Sequence, residues 1–449
     1  MNPLFGILYV FYRLITGARH RALRRMTGPG RAVVVAAMVA AMLGIDPDNT
    51  VGYQAFTLLF GLLVVATAFS FYFRLRFSAT RLLPRFGTVG QPFTYRVAVR
   101  NLGRKSEAGL ALLDNLANPR PSLREWKALQ IDDQRQMRPF RIHHRRRSRP
   151  FQMATVKEAV VPPIPAKQTV QAEIELTPLR RGILRFDAVS LARTDPFGLF
   201  RTFVKMALPQ TVLILPKRYW LPPIALPGLM KYQQGGVTLA SNVGQSDEFV
   251  ALREYRRGDP IRHIHWRSWA KVGRPIVKEF EDEFFVRHAL VLDTFTDRPH
   301  SDEFEEAVSV AASFACTVLT QESLLDLLFV GAEAFCFTAG RGLAHADQML
   351  EILASVRPCP DRPFSSLETL VLNHASVLSG CICVLLAWDD ERRDLVRKLK
   401  ALGLPVSVLV VCEKLPAPPP LDPGPMRDEP ERLQILEIGR IEEQLASLA

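Results

Sequence analysis

The residue types most able to do chemistry crowd into one stretch, Gly244 to Phe284, which reads GQSDEFVALREYRRGDPIRHIHWRSWAKVGRPIVKEFEDEF. Arg253, Glu254, Arg256, Arg257, Asp259, Arg262, Arg267, Lys271 and Arg274 alternate there with Phe249, Tyr255, Ile261, Ile264, Trp266 and Trp269. Glu254 and Asp259 are of the type used in acid–base catalysis. Gly258-Asp259-Pro260 reads as a turn, and a turn aspartate among arginines serves as a salt-bridge acceptor. His263 and His265 have a spacing that can bind zinc, but zinc needs further ligands, and no fitting Cys or His lies nearby. The alternation in RHIHW predicts a strand, with Arg262, Ile264 and Trp266 on one face and the histidines on the other. No nucleophile elbow, P-loop, HExxH or cysteine–histidine signature occurs anywhere in the chain.

A second group of carboxylates follows apolar runs further on. From Arg287 strands and amphipathic helices alternate: HALVLDT, then the helix EFEEAVSVAASFACTVLTQ, the strand LLDLLFVG, and the helices HADQMLEILASV and SSLETLVLNHASVL. CICVLLAWD and PVSVLVVCE read as strands flanking the helix ERRDLVRKLKALG. Near-continuous apolar strands alternating with helices predict a mainly parallel sheet covered on both faces. Ligands of such sheets sit at the carboxyl ends of the strands, where Asp293 and Asp389 fall. After Cys412 a proline-rich linker, KLPAPPPLDPGP, precedes ERLQILEIGRIEEQLASL, expected to be a helix that packs back or meets a partner.

Upstream, from about Gly87 to Pro216, the period is two. FTYRVAVRN puts Phe93, Tyr95, Val97 and Val99 on one face, and TVQAEIELT does the same with Val170, Ala172, Ile174 and Leu176. Turn signals at Arg181-Gly182 and Asp195-Pro196 complete the pattern of a small β-sandwich. The insertion MRPFRIHHRRRSRP, with Arg138, Arg141, Arg145, Arg146, Arg147 and Arg149, suits either anionic lipid or solvent. Nucleic acid is disfavoured because no aromatic platform accompanies the charge.

The N-terminus holds two apolar runs, Ala32 to Ile45 and Val51 to Phe73. A spanning helix needs about 20 apolar residues; the second run meets this and the first is short. Arg13, Arg19, Arg21, Arg24, Arg25 and Arg31 precede the pair, Asp46 and Asp48 lie between, and Arg74, Arg76, Arg81 and Arg85 follow. Basic outer flanks predict a transmembrane hairpin with both termini and the soluble domains on the cytoplasmic side. PLFGILYVFYRLITG reads as an interfacial helix or a marginal further segment, and no signal-peptide cleavage site is evident.

Over 449 residues the formal net charge is +12, and the arginines around the hairpin and in the insertion supply much of it. That location favours a membrane surface over nucleic acid. Six cysteines, Cys316, Cys336, Cys359, Cys381, Cys383 and Cys412, include no CxxC pair and lie mostly in apolar runs. This is the pattern of free thiols in a reducing compartment.

The pattern LREYxxGDxxRxIxWxxxAK resembles the bacterial family catalogued as domain of unknown function 58. Its positions here are Arg253, Tyr255, Gly258, Asp259, Arg262, Ile264, Trp266, Ala270 and Lys271, the last replacing the family's usual arginine. RRGILRFDAVSLARTDPFGLF, Arg180 to Phe200, resembles the family's upstream signature. The alternating C-terminal part resembles a von Willebrand factor A-like domain. That family holds Mg²⁺ through Asp-x-Ser-x-Ser, a threonine and a later aspartate. Here the resemblance implies a degenerate set: Asp293 in Asp293-Thr294-Phe295-Thr296-Asp297, Ser365 or Ser366 (Ser366 in the preferred assignment) and Asp389, with Phe295 unable to ligate. No other cofactor is expected.

The expected organisation is therefore a basic segment over residues 1–31, a transmembrane hairpin over 32–73 and a β-sandwich over 87–216. The family motif follows over 217–286, then the α/β von Willebrand factor A-like domain over 287–413 and a linker with a C-terminal helix over 414–449. The resemblance implies a membrane-tethered partner of MoxR-type AAA+ ATPases in the bacterial inner membrane, assembling or maturing another complex. The chain is expected to be an interaction module that touches lipid and not an enzyme. The competing expectation is a hydrolase-type enzyme using Asp259 or Asp293 at the junction of the β and α/β domains.

Overall fold

The computed structural model describes residues 25–44, 50–71, 74–117, 152–222, 249–257, 259, 261–280, 286–298, 301–319, 324–339, 343–414 and 422–447, plus isolated residues at 6, 8–11, 13 and 123. The arginine-rich insertion, the central part of the proline-rich linker and most of PLFGILYVFYRLITG lie outside the described residues. The chain divides into two compact units, Met1–Leu215 and Pro216–Ala449.

The first unit begins with helices α1 (Gly28–Leu43) and α2 (Thr50–Phe71). Thr27 caps α1, its hydroxyl accepting from the Gly30 amide at 3.1 Å, and Pro29 sits in the first turn, where its missing N–H costs nothing. Among the described residues one helix, over Val51–Ser70, is by length and composition long and apolar enough to cross a membrane. With 16 residues α1 reaches only about 24 Å, short of a hydrocarbon core of about 30 Å. Met42, Val51 and Leu58 are each more than 70% exposed, whereas a core helix hides such groups.

Among the described residues nine strands follow: β1 (Phe77–Leu82), β2 (Phe86–Thr88), β3 (Phe93–Asn101), β4 (Leu110–Leu116), β5 (Ala154–Val156), β6 (Ala159–Val161), β7 (Thr169–Pro178), β8 (Gly182–Thr194) and β9 (Arg201–Leu215). They form a four-stranded sheet, β1-β3-β7-β5, and a five-stranded sheet, β2-β9-β8-β4-β6. Every pairing is antiparallel except β2 with β9. The period-two faces meet in one core, with Tyr95, Val97 and Val99 of β3 and Ala172, Ile174 and Leu176 of β7 gathered with Leu184, Phe186 and Leu191 of β8.

Arg81, read from sequence as a membrane-flanking charge, points instead into this core. Its guanidinium donates to both Asp114 oxygens at 2.8 and 2.5 Å and to the Leu208 carbonyl at 3.0 Å, and it lies 4.5 Å from the Phe186 ring centroid. The Tyr95 hydroxyl adds a bond to Asp114 at 2.6 Å. Burial pushes the Asp114 carboxyl above its ordinary range, against the opposing pull of Arg81 and Tyr95.

The second unit opens with a strap, residues 216–222, lying on helix α4 (Asp302–Leu319): the Tyr219 amide donates to Ser313 Oγ at 2.8 Å and its hydroxyl to Glu306 Oε2 at 2.6 Å. A two-stranded ribbon, β10 (Phe249–Glu254) with β11 (Ile276–Phe280), carries the short helix α3 (Trp266–Val272) between its strands. A six-stranded sheet then runs β14-β13-β12-β15-β16-β17, from β12 (Arg287–Leu292), β13 (Leu324–Val330), β14 (Ala334–Ala339), β15 (Gly380–Leu385), β16 (Val406–Cys412) and β17 (Leu433–Glu437). All its pairings are parallel except β13 with β14. Every residue of β12 and β15 is buried, as strands covered on both faces must be. Helices α6 (Ser365–His374) and α7 (Asp390–Ala401) pack one face, with Leu367, Val371, Leu395 and Leu399 against Val291, Cys383 and Val408. Helix α4 contacts β12, β13, β15 and β16, and α5 (Leu343–Ser355) packs beside α4.

Two local expectations are corrected, and one strand is added. The stretch RHIHW is not a strand: Ile261–His263 makes one 3₁₀ turn, Ile264 forms a single bridge to Val277, and the His265 carbonyl then accepts the first bonds of α3 from Ser268 and Trp269. The tail expected to be helical contributes β17, which pairs in parallel with β16 and covers what would otherwise be a sheet edge. Among the described residues of that tail the α-helix is confined to Ile441–Ala446 (α8), and Gly439, at φ +95°, turns the chain between β17 and it. The short hairpin strand β14, with exposed Phe335 and Cys336, was not anticipated.

Candidate functional site

The ribbon β10–β11 carries the motif residues. Arg253 near the end of β10 forks onto Asp259, with Nη1 to Oδ2 at 2.7 Å and Nη2 to Oδ1 at 2.8 Å. The Arg256 amide donates to Asp259 Oδ2 at 2.7 Å, and the Asp259 amide donates to the Arg256 carbonyl at 3.0 Å. A turn aspartate clamped by arginine is thus what the sequence suggested. The Arg253 fork and the Arg256 amide hold the Asp259 carboxyl down at about 2, well below the usual carboxylate range. Glu254 pairs with Arg274 across the ribbon. The two carboxylates have different partners, so the structure does not join them into one site.

The rest of the motif shapes the surface of that ribbon. The Tyr255 amide donates to the Pro275 carbonyl at 3.0 Å and the His265 amide to the Ile276 carbonyl at 2.8 Å, tying both flanks of the connection to β11. His265 Nδ1 lies 2.7 Å from Ser268 Oγ, which occupies one ring nitrogen in a local turn. Trp266 stacks on Trp269 with ring centroids 5.2 Å apart. Trp266, Ile261, Ala270 and Lys271 are exposed, and Ile264 is half-buried on Val277. Gly258 and the side chain of Arg262 lie outside the described residues.

The carboxyl ends of β12 and β15 hold the second candidate. The connections leave these two neighbouring strands in opposite directions along the sheet, which makes the crevice between them the topological switch point. Asp293 follows β12 and is fully buried. Its Oδ1 accepts from the Phe295 amide at 3.0 Å, and its Oδ2 from the Leu386 amide at 3.1 Å and from Arg392 Nε at 2.7 Å. Asp389 caps α7, accepting from the Arg392 amide at 3.1 Å, and its other oxygen takes Arg392 Nη1 at 2.5 Å. Burial opposes the charge on Arg392, but the two carboxylates outweigh it and raise its pKa. Arg392 was missed in the sequence, although its place three residues after a capping aspartate was the available signal.

The neighbouring residues of the expected ligand set have other contacts. The Thr294 hydroxyl donates to the Val330 carbonyl at 2.5 Å, and Phe295 packs against Phe364 with centroids 5.4 Å apart. Ser366 lies in the first turn of α6, its amide bonded to the Pro363 carbonyl at 3.0 Å. Among the described residues no group of three or more His, Cys, Asp or Glu side chains is placed to hold a metal ion.

The upstream signature has a distinct place in the first unit. Its loop, Asp195–Phe200, joins β8 to β9 and is closed by the Phe200 amide on Asp195 Oδ1 at 2.7 Å, with Gly198 at φ +72°. Both N-terminal helices are fastened to it. The Thr27 hydroxyl donates to the Gly198 carbonyl at 2.5 Å, the Thr27 amide to the Leu199 carbonyl at 3.0 Å, and Met26 bridges Phe200. At the other end of the pair the Thr202 hydroxyl donates to the Ser70 carbonyl at 3.2 Å, and Phe69 meets Phe197 with ring centroids 6.0 Å apart. Gly30 is required here, since a Cβ would lie 2.1 Å from the Leu199 carbonyl oxygen.

Residues 251–439, which take in the ribbon and the sheet through β17, match the family described as Protein of unknown function DUF58. That supports membership of the DUF58 family. Uncharacterized protein YeaD of Bacillus subtilis is 29% identical over 263 residues, 58% of this chain and 63% of the relative. The chain thus spans less than two thirds of that relative's length. Among solved structures, a CARDB domain from Pyrococcus furiosus is 10% identical, with a TM-score of 0.15 over 31% of this chain and 93% of that one. A cohesin module from Clostridium perfringens is 11% identical, with a TM-score of 0.16 over 31% of this chain and 98% of the module. Superpositions at that level carry no argument about the fold.

Proposed function

We propose that this DUF58 chain is a membrane-tethered interaction module that works with a MoxR-type AAA+ ATPase in the maturation of another complex. In this reading α1 and α2 form the membrane hairpin, the two sheets of the first unit a β-sandwich, and the parallel sheet a von Willebrand factor A-like domain. Both termini and both units face the cytoplasm, and the basic segments contact lipid.

The observation that carries a binding role over an enzymatic one is how the charges of the motif are used. Asp259, Glu254, Asp293 and Asp389 all sit against arginines, whereas a catalytic acid or base must keep a proton site open to substrate. On the same ribbon, Ile261 and Trp266 are 68% and 61% exposed beside Arg267 and Lys271. An exposed aromatic with basic neighbours has the composition of a protein-binding patch. The class of partner rests on the motif's resemblance.

The test uses the full chain in detergent as bait for a MoxR-type ATPase with ATP, ADP or no nucleotide. ATP-dependent retention by the wild type, lost in Trp266→Ala and Lys271→Glu, is the expected result. Repeated failure to retain the ATPase in any nucleotide state overturns the partnership. Carbonate extraction tests the tether: the chain should remain in the membrane pellet, and its release into the supernatant rejects the hairpin.

A further inference from the structure

We infer that Arg392 is the resident cation of the switch point, standing in the place of a divalent metal, so that Asp293 and Asp389 take no metal while it is there. The argument is geometric. The two carboxylates that a parallel sheet would offer a hard cation face each other across one guanidinium, with Nε 2.7 Å from Asp293 Oδ2 and Nη1 2.5 Å from Asp389 Oδ2. The third nitrogen, Nη2, lies 3.5 Å from the Phe295 carbonyl, at the outer limit of a bond. The Phe364 ring closes the flat face, its centroid 4.8 Å from the guanidinium carbon. The planar fork therefore spans the loops after β12 and β15, the same join that a bridging metal makes.

The donor set does not fit a second cation. A Mg²⁺ ion takes six oxygens in a strict octahedron, and a Ca²⁺ ion six to eight. Both Asp293 oxygens are already engaged by the Phe295 and Leu386 amides and Arg392. The Thr294 hydroxyl is turned away to the Val330 carbonyl, and Phe295 brings no side-chain oxygen. A divalent ion reaching Asp293 would also come within a few ångströms of a guanidinium in a largely dry setting, where like-charge repulsion is barely screened. Arg392 is only 7% exposed and Asp293 fully buried, so neither swings aside without opening the crevice.

Removing the guanidinium should reverse this. Two facing carboxylates would remain beside a space about the size of the lost group, which water can enter, and that is a weak hard-cation site with half-saturation at about 1 mM. The experiment titrates the full chain in detergent with Mn²⁺, following free Mn²⁺ by electron paramagnetic resonance and stability by thermal unfolding. Wild type should bind no Mn²⁺ up to about 1 mM and show no shift. Arg392→Ala should unfold at a lower temperature, bind one Mn²⁺ and recover part of the loss on adding it. Asp293→Asn in that background should abolish both effects. Should Arg392→Ala fail to fold, Arg392→Gln removes the charge while keeping most of the volume, and the same gain is expected. Wild-type binding that disappears in Asp293→Asn overturns the inference. So does a folded Arg392→Ala or Arg392→Gln protein that neither binds nor is stabilised.

Discussion

Replacing Asp293 with alanine tests how far one buried carboxylate organises the C-terminal sheet. The side chain is fully buried and receives bonds from the Phe295 amide, the Leu386 amide and Arg392, from three different elements. Deleting one member of a buried ion pair costs about 3–5 kcal/mol, because the other charge stays behind without its partner. Here Asp389 still holds Arg392, which lowers the cost, but two amides lose their acceptor, and each orphaned buried group adds about 1–3 kcal/mol before relaxation. The net expectation is about 4 kcal/mol. Asp389→Ala is the contrasting perturbation. That side chain is 48% exposed, and water can replace it as cap and acceptor, so about 1 kcal/mol is expected. In a unit of this size 1 kcal/mol moves the midpoint by about 2–4 °C, giving about 8–16 °C for Asp293→Ala and a few degrees for Asp389→Ala. Thermal and urea unfolding of the full chain in detergent measure this. The double variant Asp293→Ala, Arg392→Ala completes the cycle and should cost less than the sum of its singles, since no charge is then stranded. An Asp293→Ala protein as stable as Asp389→Ala, or a double variant at or beyond the sum, refutes the reasoning.

Other perturbations probe the remaining clusters. Asp259 should stay ionised on acidification until about pH 2, and Arg253→Gln should return its midpoint toward the ordinary range, both read from its carboxyl ¹³C shift. Because its folded-state pKa is depressed, the stability it lends is complete above the unfolded value near 4 and fades as pH falls toward 2. Gly30→Val should cost about 1–3 kcal/mol and expose the Asp195–Phe200 loop to protease, because the new Cβ meets backbone at 2.1 Å. Gly61→Val, with nothing within 4 Å, is the control that should unfold like wild type. Asp114→Ala strands the buried Arg81 and should cost about 3–5 kcal/mol, whereas Tyr95→Phe removes one bond to a charged group, about 1.5–3 kcal/mol; urea midpoints rank the two.

Periodicity made most of the secondary structure legible. Period two marked the buried faces of β3 and β7, and continuous apolar runs marked β12, β15 and β16, because a strand's neighbours dictate its composition face by face. The clamp on Asp259 was also readable, since a turn aspartate six residues from an arginine is a local event. Short elements escaped. RHIHW alternates over too few residues to show that a one-residue bridge and a helix start would take it. β17 owes its existence to the open edge of β16, a partner 25 residues away at Leu433↔Val408 that no window of sequence contains.

The sequence by itself determined where the charges and apolar runs fall, which of the longer elements form, and that Asp293 and Asp389 follow apolar strand-like runs. Only the tertiary structure decided what those groups meet. Arg392, 99 residues from Asp293, bridges it to Asp389 as a doubly paired guanidinium. Arg81, expected near the membrane, is drawn into the β core by Asp114, 33 residues away. Leu199, 172 residues from Thr27, is where the helical hairpin is fastened. In each case the partner is distant in the chain, and a buried charge or backbone group takes its role from the neighbour that satisfies it, which is fixed only when the fold closes.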